Sequence, residues 1–251
     1  SSVIDTVQSH SRADAPAYLA RLLDAMDANE RYAFIKLTTG GMRVGVSARL
    51  ARAAFAAAFD VAVETVEEYW HALPPPYAAL FDWADRGAPP PDLTAVPWFR
   101  PFMLDHPLEE GETPDMAAYA AEWKWDGIRV QLVRSGDAVR LYSRGGEDIS
   151  AAFPDITGAF AQEGVVDGEL LVRGDTQGGG AASFNALQQR LGRKTVSAAM
   201  LRDAPAFVRL YDLLADGATD LRARPWHERR AALERFAASL PPERFDVSPL
   251  I

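Results

Sequence analysis

The sequence predicts a multidomain chain, with an all-α segment at residues 1–92 followed by an α+β domain with antiparallel sheets at residues 93–251. Hydrophobic periodicity carries this prediction. Apolar residues of the first part recur at helical spacing, whereas those of the second part alternate with polar residues as in half-buried strands. Between the two parts, the proline-rich run from Gly87 to Pro91 is the predicted domain boundary.

Composition and charge narrow the function classes. The 251 residues are 48% hydrophobic and 24% charged, as in ordinary globular proteins. Because the chain has no cysteine, it has neither disulfides nor thiolate metal sites, which suits a cytoplasmic protein. The formal net charge of -9 argues against a uniformly basic nucleic-acid binder, so any contact with DNA must come from a local patch.

The first part contains clear helix signals. Asp14 followed by Pro16 marks a helix start, because proline is well tolerated in the first turn. The apolar residues that follow at helical spacing are Tyr18, Leu19, Leu22, Leu23 and Met26. A further helical region is expected from Val63 to Trp83. Its predicted core residues are Tyr69, Trp70, Leu80 and Phe81.

One stretch of the first part is a candidate DNA-binding surface. No acidic residue occurs from Arg31 to Phe59, and a glycine-rich turn precedes a helix expected from Ala48 to about Ala58. Backbone N–H groups at such a turn and helix start are good phosphate ligands. The alternative is a pair of helices whose solvent faces carry arginine. The predicted nucleic-acid-binding residues are Gly40, Gly41, Arg43, Ser47 (also the expected N-cap) and Arg49.

The second part mixes strands with helices. Ile128, Val130 and Leu132 alternate with polar residues, and a turn around Gly136 leads into a second strand, which predicts a β-hairpin. A glycine-rich loop is expected over residues 174–182. The other predicted strands are Val165 to Val172 and Phe207 to Leu214, and the predicted helices are Phe153 to Phe160, Phe184 to Leu191 and Pro225 to Ala238.

Lys124 is unusual for this chain. Of 26 basic residues only three are lysines, namely Lys36, Lys124 and Lys194. Arginine cannot be deprotonated, whereas lysine becomes a nucleophile once burial or nearby cations lower its pKa. Because Lys124 lies between Trp123 and Trp125, it could equally well pack its aliphatic stem against aromatic rings. Its neighbours in the sequence decide between these interpretations.

Four motifs that are spaced along the chain together favour the interpretation of Lys124 as a nucleophile. They are EWKWDGIRVQ around Lys124, YSRGGEDIS around Arg144, VVDGELLV around Glu169 and VRLYDLL around Tyr211. Each motif alone has a structural explanation, such as a polar turn or a core aromatic. In this order they closely resemble the nucleotidyltransferase motifs of ATP-dependent DNA ligases. Upstream, TTGGMRVGVS resembles part of the helical DNA-binding domain of multidomain bacterial and archaeal ligases.

The resemblance implies an ATP-dependent DNA ligase, with a nucleotidyltransferase (adenylation) domain behind a partial DNA-binding domain. Lys124 would attack the α-phosphorus of ATP and form a covalent lysyl-AMP, with pyrophosphate departing in line. The AMP would pass to the 5′-phosphate of a nick, and the 3′-hydroxyl would displace it to seal the strand. The implied partners are ATP and nicked duplex DNA; we expect a monomer without membrane contact, cytoplasmic and associated with the nucleoid.

The same resemblance implies roles for residues around the lysine. Arg129 and Arg144 would hold phosphate and lower the lysine pKa through like charge. Glu169 would contact the ribose and offer a carboxylate to Mg²⁺ or Mn²⁺, which neutralises phosphate oxygens. Tyr211 would stack on adenine, and the backbone of Glu122 would lie beside the base edge. Two further acids, Asp126 and Asp167, are expected to shape the site without taking part in the chemistry.

The sequence also departs from the family pattern. An acidic Glu-Gly motif and a pair of lysines that grip the α-phosphate do not follow. We therefore expect a fragment that ends at Ile251 within the adenylation domain, before an OB-fold, and cannot complete nick sealing alone. Two alternatives stay open: an RNA ligase or capping-type nucleotidyltransferase, which shares the lysine motif, and a non-catalytic DNA-binding fragment.

Overall fold

The computed structural model describes residues 14–38, 45–73, 75–93, 96–103, 107–111, 113–115, 117–173, 181–182, 184–191, 193 and 195–251. The chain divides into two compact units, Ser1–Ala54 and Phe55–Ile251. The predicted boundary run from Gly87 to Pro91 contains no helix or strand, and the division between residues 92 and 93 stays a prediction. Within the described ranges, no helix is long and apolar enough to cross a membrane.

In the described residues before 128, the regular elements are five helices. They are α1 (Ala15–Asp24), α2 (Ala28–Thr38), α3 (Ala48–Phe59), α4 (Val63–Ala72) and α5 (Ala78–Arg86). Helix α1 begins after Asp14 with a proline in its first turn, as the sequence predicts. The predicted cap of α3 is confirmed, because the N–H of Leu50 donates to Ser47 Oγ at 3.1 Å.

The region from Val63 to Trp83 forms two helices rather than one. Helix α4 ends before a proline run, whose members lack the N–H that a continuing helix requires. Leu80 is fully buried as predicted, whereas the prediction of Phe81 in the core is wrong, because that side chain is 45% exposed. After this break Leu80 faces inward. Phe81 lies at the edge of the core, where its ring centroid is 5.0 Å from that of Phe55 and 6.0 Å from that of Phe59.

The second part of the chain is built on one sheet. Its strands in the described residues are β1 (Ile128–Ser135), β2 (Ala138–Ser143), β3 (Gly164–Arg173), β4 (Ala181–Ala182), β5 (Ala206–Asp216), β6 (Thr219–Asp220) and β7 (Phe245–Val247). The strand order is β2-β1-β3-β5-β6, with β4 paired to β3 and β7 paired to β5. All pairs are antiparallel as predicted except β5 with β7, which is parallel.

Helices pack on one face of the sheet. They are a 3-10 turn (Ser150–Ala152), α6 (Pro154–Thr157), α7 (Phe184–Gln188) and α9 (Trp226–Ala237), whereas α8 (Ala198–Asp203) has no buried residue. Phe160 and Leu233 pack there against strand residues such as Val130 and Leu170. Since successive strand side chains point to opposite faces, the residues at alternate positions lie on the other face. That second face carries the predicted site residues of β1, β3 and β5.

Candidate active site

The segment that carries Lys124 runs immediately before β1. Lys124 and Trp123 are exposed, whereas Trp125 is half-buried. Burial raises the pKa of the Glu169 carboxyl, and the ammonium group of Lys124 opposes this shift because it favours the ionised form. The structure thus brings the predicted nucleophile and the predicted ribose contact within electrostatic range of each other.

Gly127 seats this segment against β3. Its N–H donates to Glu169 Oε1 at 3.1 Å. A β-carbon at this position would collide with the carbonyl oxygen of Leu170 and would lie 2.7 Å from Leu171 Cδ2. Only glycine permits so close a backbone approach. The glycine three positions after the lysine is therefore explained by this packing.

Glu169 and Arg129 are directly paired neighbours on adjacent strands of the sheet. The antiparallel register pairs Arg129 of β1 directly with Glu169 of β3, so that both side chains leave the same face. Burial raises the pKa of the half-buried Glu169 carboxyl, while the Gly127 N–H, Lys124 and Arg129 act in the opposite direction. Three predicted site residues, one from each of two strands and one from the preceding segment, are thus assembled together.

Arg129 is held by a buried ion pair. Its Nη2 lies 2.7 Å from Asp167 Oδ2 and donates to the carbonyl oxygen of Met103 at 3.0 Å, and its Nε lies 3.3 Å from Asp167 Oδ1. The guanidinium also covers the ring of Phe102, 4.3 Å from the centroid. Burial raises the pKa of Asp167 to about 6, although Arg129 opposes the shift. The expectation that Asp167 shapes the site agrees with this contact.

Tyr211 occupies a β-bulge. The register of β3 with β5 passes from Asp167 opposite Asp212 to Gly168 opposite Leu210, which leaves Tyr211 as the extra residue. The Tyr211 hydroxyl hydrogen-bonds the Asp167 carboxylate, and burial raises the pKa of the tyrosine. Its ring centroid lies 5.7 Å from the guanidinium carbon of Arg129. The bulge therefore directs the predicted adenine-stacking ring toward the face that carries Arg129 and Glu169.

Arg144 lies at a tight turn after β2. The Gly146 N–H donates to the Ser143 carbonyl at 2.9 Å, and Ser143 Oγ donates to the Glu147 carboxylate at 2.9 Å. Gly146 takes the left-handed backbone conformation at φ +81° that the turn requires. Arg144 is exposed there, and the contacts that join the other predicted site residues do not include it.

Glu122 is anchored to the end of the chain. Its carboxylate accepts from Arg230 Nη1 at 3.2 Å, and its pKa is raised by burial despite a hydrogen bond with Ser248. The backbone at Glu122 forms an antiparallel bridge with Leu250, in which the Ile251 N–H donates to the carbonyl before Glu122 at 2.9 Å. The structure places Glu122 at the start of the lysine segment, and its contact with adenine stays a prediction.

The predicted metal and DNA contacts are only partly described. Among the residues that the structure describes, no group of three or more His, Asp or Glu side chains is placed to hold a metal ion. Glu169 is a single carboxylate, which suits Mg²⁺, since that ion commonly keeps waters and binds phosphate oxygens through one or two carboxylates. Ser47 and Arg49 are exposed at the start of α3. Gly40, Gly41 and Arg43 lie outside the described residues.

Several residues at the site were not predicted from the sequence. Arg209 lies on β5 two positions before Tyr211, and its period-2 relation to that aromatic was a signal that it shares the same face. Arg230 and Ser248 approach from later parts of the chain, and no local pattern indicated their contact with the lysine segment. The site therefore uses more of the residues after 205 than the motifs alone predict.

The family model and the relatives that this chain matches are those of DNA ligases. The family model described as ATP dependent DNA ligase domain matches residues 109–249. "Probable DNA ligase" of Anaeromyxobacter sp. is 34% identical over 90% of this chain and 44% of its own length. "DNA ligase 1" of Korarchaeum cryptofilum is 30% identical over 89% of this chain and 41% of its own length.

A solved structure, mycobacterial DNA ligase D complexed with ATP and MES, is 31% identical with a TM-score of 0.42, covering 54% of this chain and 41% of that chain. The chain spans less than half the length of each of these relatives. The family model covers more than half of this chain and all four motifs of the site. The chain belongs to the ATP-dependent DNA ligase domain family.

Proposed function

We propose that this chain is the nucleotide-binding part of an ATP-dependent DNA ligase, which seals nicks in duplex DNA through an AMP group carried on Lys124. The observation that carries the proposal is the assembly on one face of the sheet. There, the lysine segment is seated on β3 through Gly127, and Glu169 lies opposite Arg129. Lys124, Gly127 and Arg129 belong to one motif and Glu169 to another, and nucleotidyl transfer needs both motifs at one point.

Lys124 supplies the nucleophile. The unprotonated amine of its side chain attacks the α-phosphorus of ATP, a nitrogen–phosphorus bond forms, and the bond to the pyrophosphate oxygen breaks. A second transfer moves AMP to the 5′-phosphate of the nick and returns the amine. The 3′-hydroxyl of the adjacent strand then attacks that phosphate, and AMP departs. Exposure of Lys124 allows both nucleotide and DNA end to approach it.

The surrounding residues bind and orient the nucleotide in this proposal. Glu169 accepts hydrogen bonds from the ribose hydroxyls, and Tyr211 offers its ring to adenine. Arg129, whose position is fixed by the ion pair with Asp167, contributes positive charge where the phosphate develops negative charge. Arg144 adds a second cation from its turn. A bound Mg²⁺ or Mn²⁺, held in part by Glu169, would neutralise phosphate oxygens.

Residues 1–92 bind the duplex in this proposal. Arg49 and the helix start at Ser47 are exposed, which leaves the cation and the α3 N-terminus accessible to a phosphate backbone. Gly40, Gly41 and Arg43 precede them and extend the same basic stretch. This contact is independent of base sequence, as a nick-sealing enzyme requires.

A nick-sealing assay tests the proposal. The protein encoded by the complete gene is given a duplex with one 5′-phosphorylated nick, ATP and Mg²⁺, and sealed product is resolved on a denaturing gel. We expect sealing by the unaltered protein and by Lys36→Arg, a matched control at a partly exposed lysine of α2. Lys124→Arg should abolish sealing, since arginine cannot be deprotonated.

The choice of nucleotide and nucleic acid separates the alternatives. Labelling from GTP instead of ATP would favour a capping-type nucleotidyltransferase, and sealing of RNA alone would favour an RNA ligase. DNA binding without any nucleotidyl transfer would indicate a non-catalytic DNA-binding protein. Any of these three results contradicts the proposed function.

A further inference from the structure

The segment that carries Lys124 is fixed to the rest of the domain on both sides of the lysine. After it, Gly127 is bound to Glu169 of β3. Before it, the carbonyl of Ala121 accepts from the Ile251 N–H at 2.9 Å. Between these two points, Trp125 follows the lysine directly in the chain.

Trp125 makes two specific contacts with separate elements. Its indole Nε1–H donates to Ser248 Oγ at 3.0 Å, although 123 residues separate the two in the sequence. The guanidinium of Arg209 covers the face of the same ring, with its central carbon 4.0 Å from the centroid. One contact restrains the edge of the indole and the other restrains its face, so that together they define the orientation of the ring.

Both partners of Trp125 are themselves held in place. Arg209 forms a bidentate pair with Asp246 at 2.9 and 2.6 Å, within the parallel register of β5 and β7. The fully buried Ser248 donates its N–H to Leu210 O at 2.8 Å and accepts at its carbonyl from Arg230 Nη2 at 2.8 Å. The two contacts are therefore made by groups with little freedom to move.

We propose that Trp125 is a positioning residue for the adenylation reaction, and that Arg209 and Ser248 orient its ring and thereby fix the backbone of Lys124. This inference rests on the proposed function. A misplacement of about 1 Å at a reacting group can reduce a rate by about 100-fold. A residue that holds the backbone next to Lys124 in one position therefore increases the rate of AMP transfer. Simple packing of an indole requires neither an oriented N–H acceptor nor a paired cation over its face.

Single-turnover kinetics test the hydrogen bond. The rate of AMP transfer to the protein is measured against ATP concentration for Trp125→Phe, Ser248→Ala and the double variant. We expect each single variant to reduce the maximal rate about fivefold, the value of one neutral hydrogen bond, with the KM for ATP changed less than about twofold. Both changes remove the bond from Trp125 to Ser248, and Ser248→Ala also removes the hydrogen bond with Glu122, so the double variant should be slowed by clearly less than the product of the two single effects. Independent, multiplying effects would overturn the proposal.

Two substitutions of Arg209 test whether its positive charge over the Trp125 ring is needed. Arg209→Gln removes the cation and should slow the maximal rate about tenfold, whereas Arg209→Lys keeps the charge and should recover to within about threefold of the unaltered protein. Trp123→Phe is the matched control, since Trp123 is 62% exposed on the other side of the lysine and should leave the rate unchanged. Equal losses in Trp123→Phe and Trp125→Phe, or no recovery in Arg209→Lys, would contradict the assignment.

Hydrogen exchange separates this inference from the proposed function. Mass spectrometry follows amide exchange in a peptide that spans residues 121–127, without any nucleotide present. We expect faster exchange in Trp125→Phe and Ser248→Ala, with peptides from α9 unchanged. If the unaltered protein never takes up AMP but exchange is faster in both variants, the proposed ligase function is wrong, whereas the restraint of residues 121–127 by Trp125 is supported. If AMP is taken up at the unaltered rate in both variants, the positioning role fails.

Discussion

Replacing Asp167 with asparagine should change how the stability of the protein depends on pH. The Asp167 side chain is 2% exposed and is paired with Arg129, and the Tyr211 hydroxyl also hydrogen-bonds it. Burial is the larger effect and raises the pKa of the carboxyl from 3.8 to about 6. Asparagine has nearly the same volume and does not titrate, so it isolates the contribution of this one ionisation.

The sign and size of the effect follow from proton linkage. Between the ordinary pKa of 3.8 and the folded value of about 6, the folded chain binds more protons than the unfolded chain, so stability contributed by Asp167 is lost as the pH rises. The stabilisation is fully present below the unfolded value and absent above the folded one. Its full size corresponds to about 3 kcal/mol, because one pKa unit is worth about 1.4 kcal/mol.

Urea unfolding at a series of pH values measures this difference. The free energy of unfolding of the unaltered protein, relative to Asp167→Asn, should fall by about 3 kcal/mol between about pH 4 and about pH 7. Asp82→Asn is the control, since Asp82 forms a solvent-exposed pair with Arg86 and should show a change of less than about 1 kcal/mol. A difference that grows as the pH rises would refute the reasoning, because the ion pair with Arg129 would then outweigh burial.

Two further substitutions test the packing around the site. Gly127→Ala should destabilise the protein by about 1–3 kcal/mol through the clash with β3, whereas Gly145→Ala, whose β-carbon would meet its neighbours at 3.6 Å, should cost much less in the same urea titration. Arg229→Met should cost about 3–5 kcal/mol, because it leaves the carboxylate of Asp212 buried without its bidentate partner. The control is Arg86, which forms an exposed pair with Asp82, and Arg86→Met should change stability by less than about 1 kcal/mol. Equal losses of stability at the two arginines would contradict the role of burial.

Strand periodicity and turn chemistry made the centre of the sheet predictable. The β1–β2 hairpin was predicted from alternation on both sides of a turn, and Gly136 has the positive φ of +55° that such a turn needs. Asp167 interrupts the apolar strand β3, where a buried carboxylate needs a partner, and Arg129 is that partner. These predictions rest on local patterns, which a short stretch of sequence contains in full.

The elements that the sequence did not predict depend on distant contacts. Strands β4 and β6 have two residues each and β7 has three, too few for any periodicity to be recognised. The bulge at Tyr211 arises from the pairing of β5 with β3 and leaves no mark in the sequence of β5 alone. Likewise, the hydrogen bond from Trp125 to Ser248 joins residues that only the folded chain brings together.

Phe81 shows why burial was harder to predict than helix content. The apolar pattern from Val63 to Trp83 fits one helix, and in one continuous helix Phe81 would share a face with other apolar residues. The proline run divides the region into α4 and α5 and changes which side chains face inward. The helical character of the region was therefore predictable, but the side chains of α5 that face inward depend on the proline run between α4 and α5.

The central claim is that Lys124 carries AMP, and the position of the adenylyl group tests it most directly. The protein encoded by the complete gene is incubated with ATP and Mg²⁺, digested, and analysed by tandem mass spectrometry. We expect one adenylyl group on the peptide that contains Trp123, Lys124 and Trp125, and none in Lys124→Ala. An adenylyl group on another residue, or uptake that persists in Lys124→Ala, would contradict it.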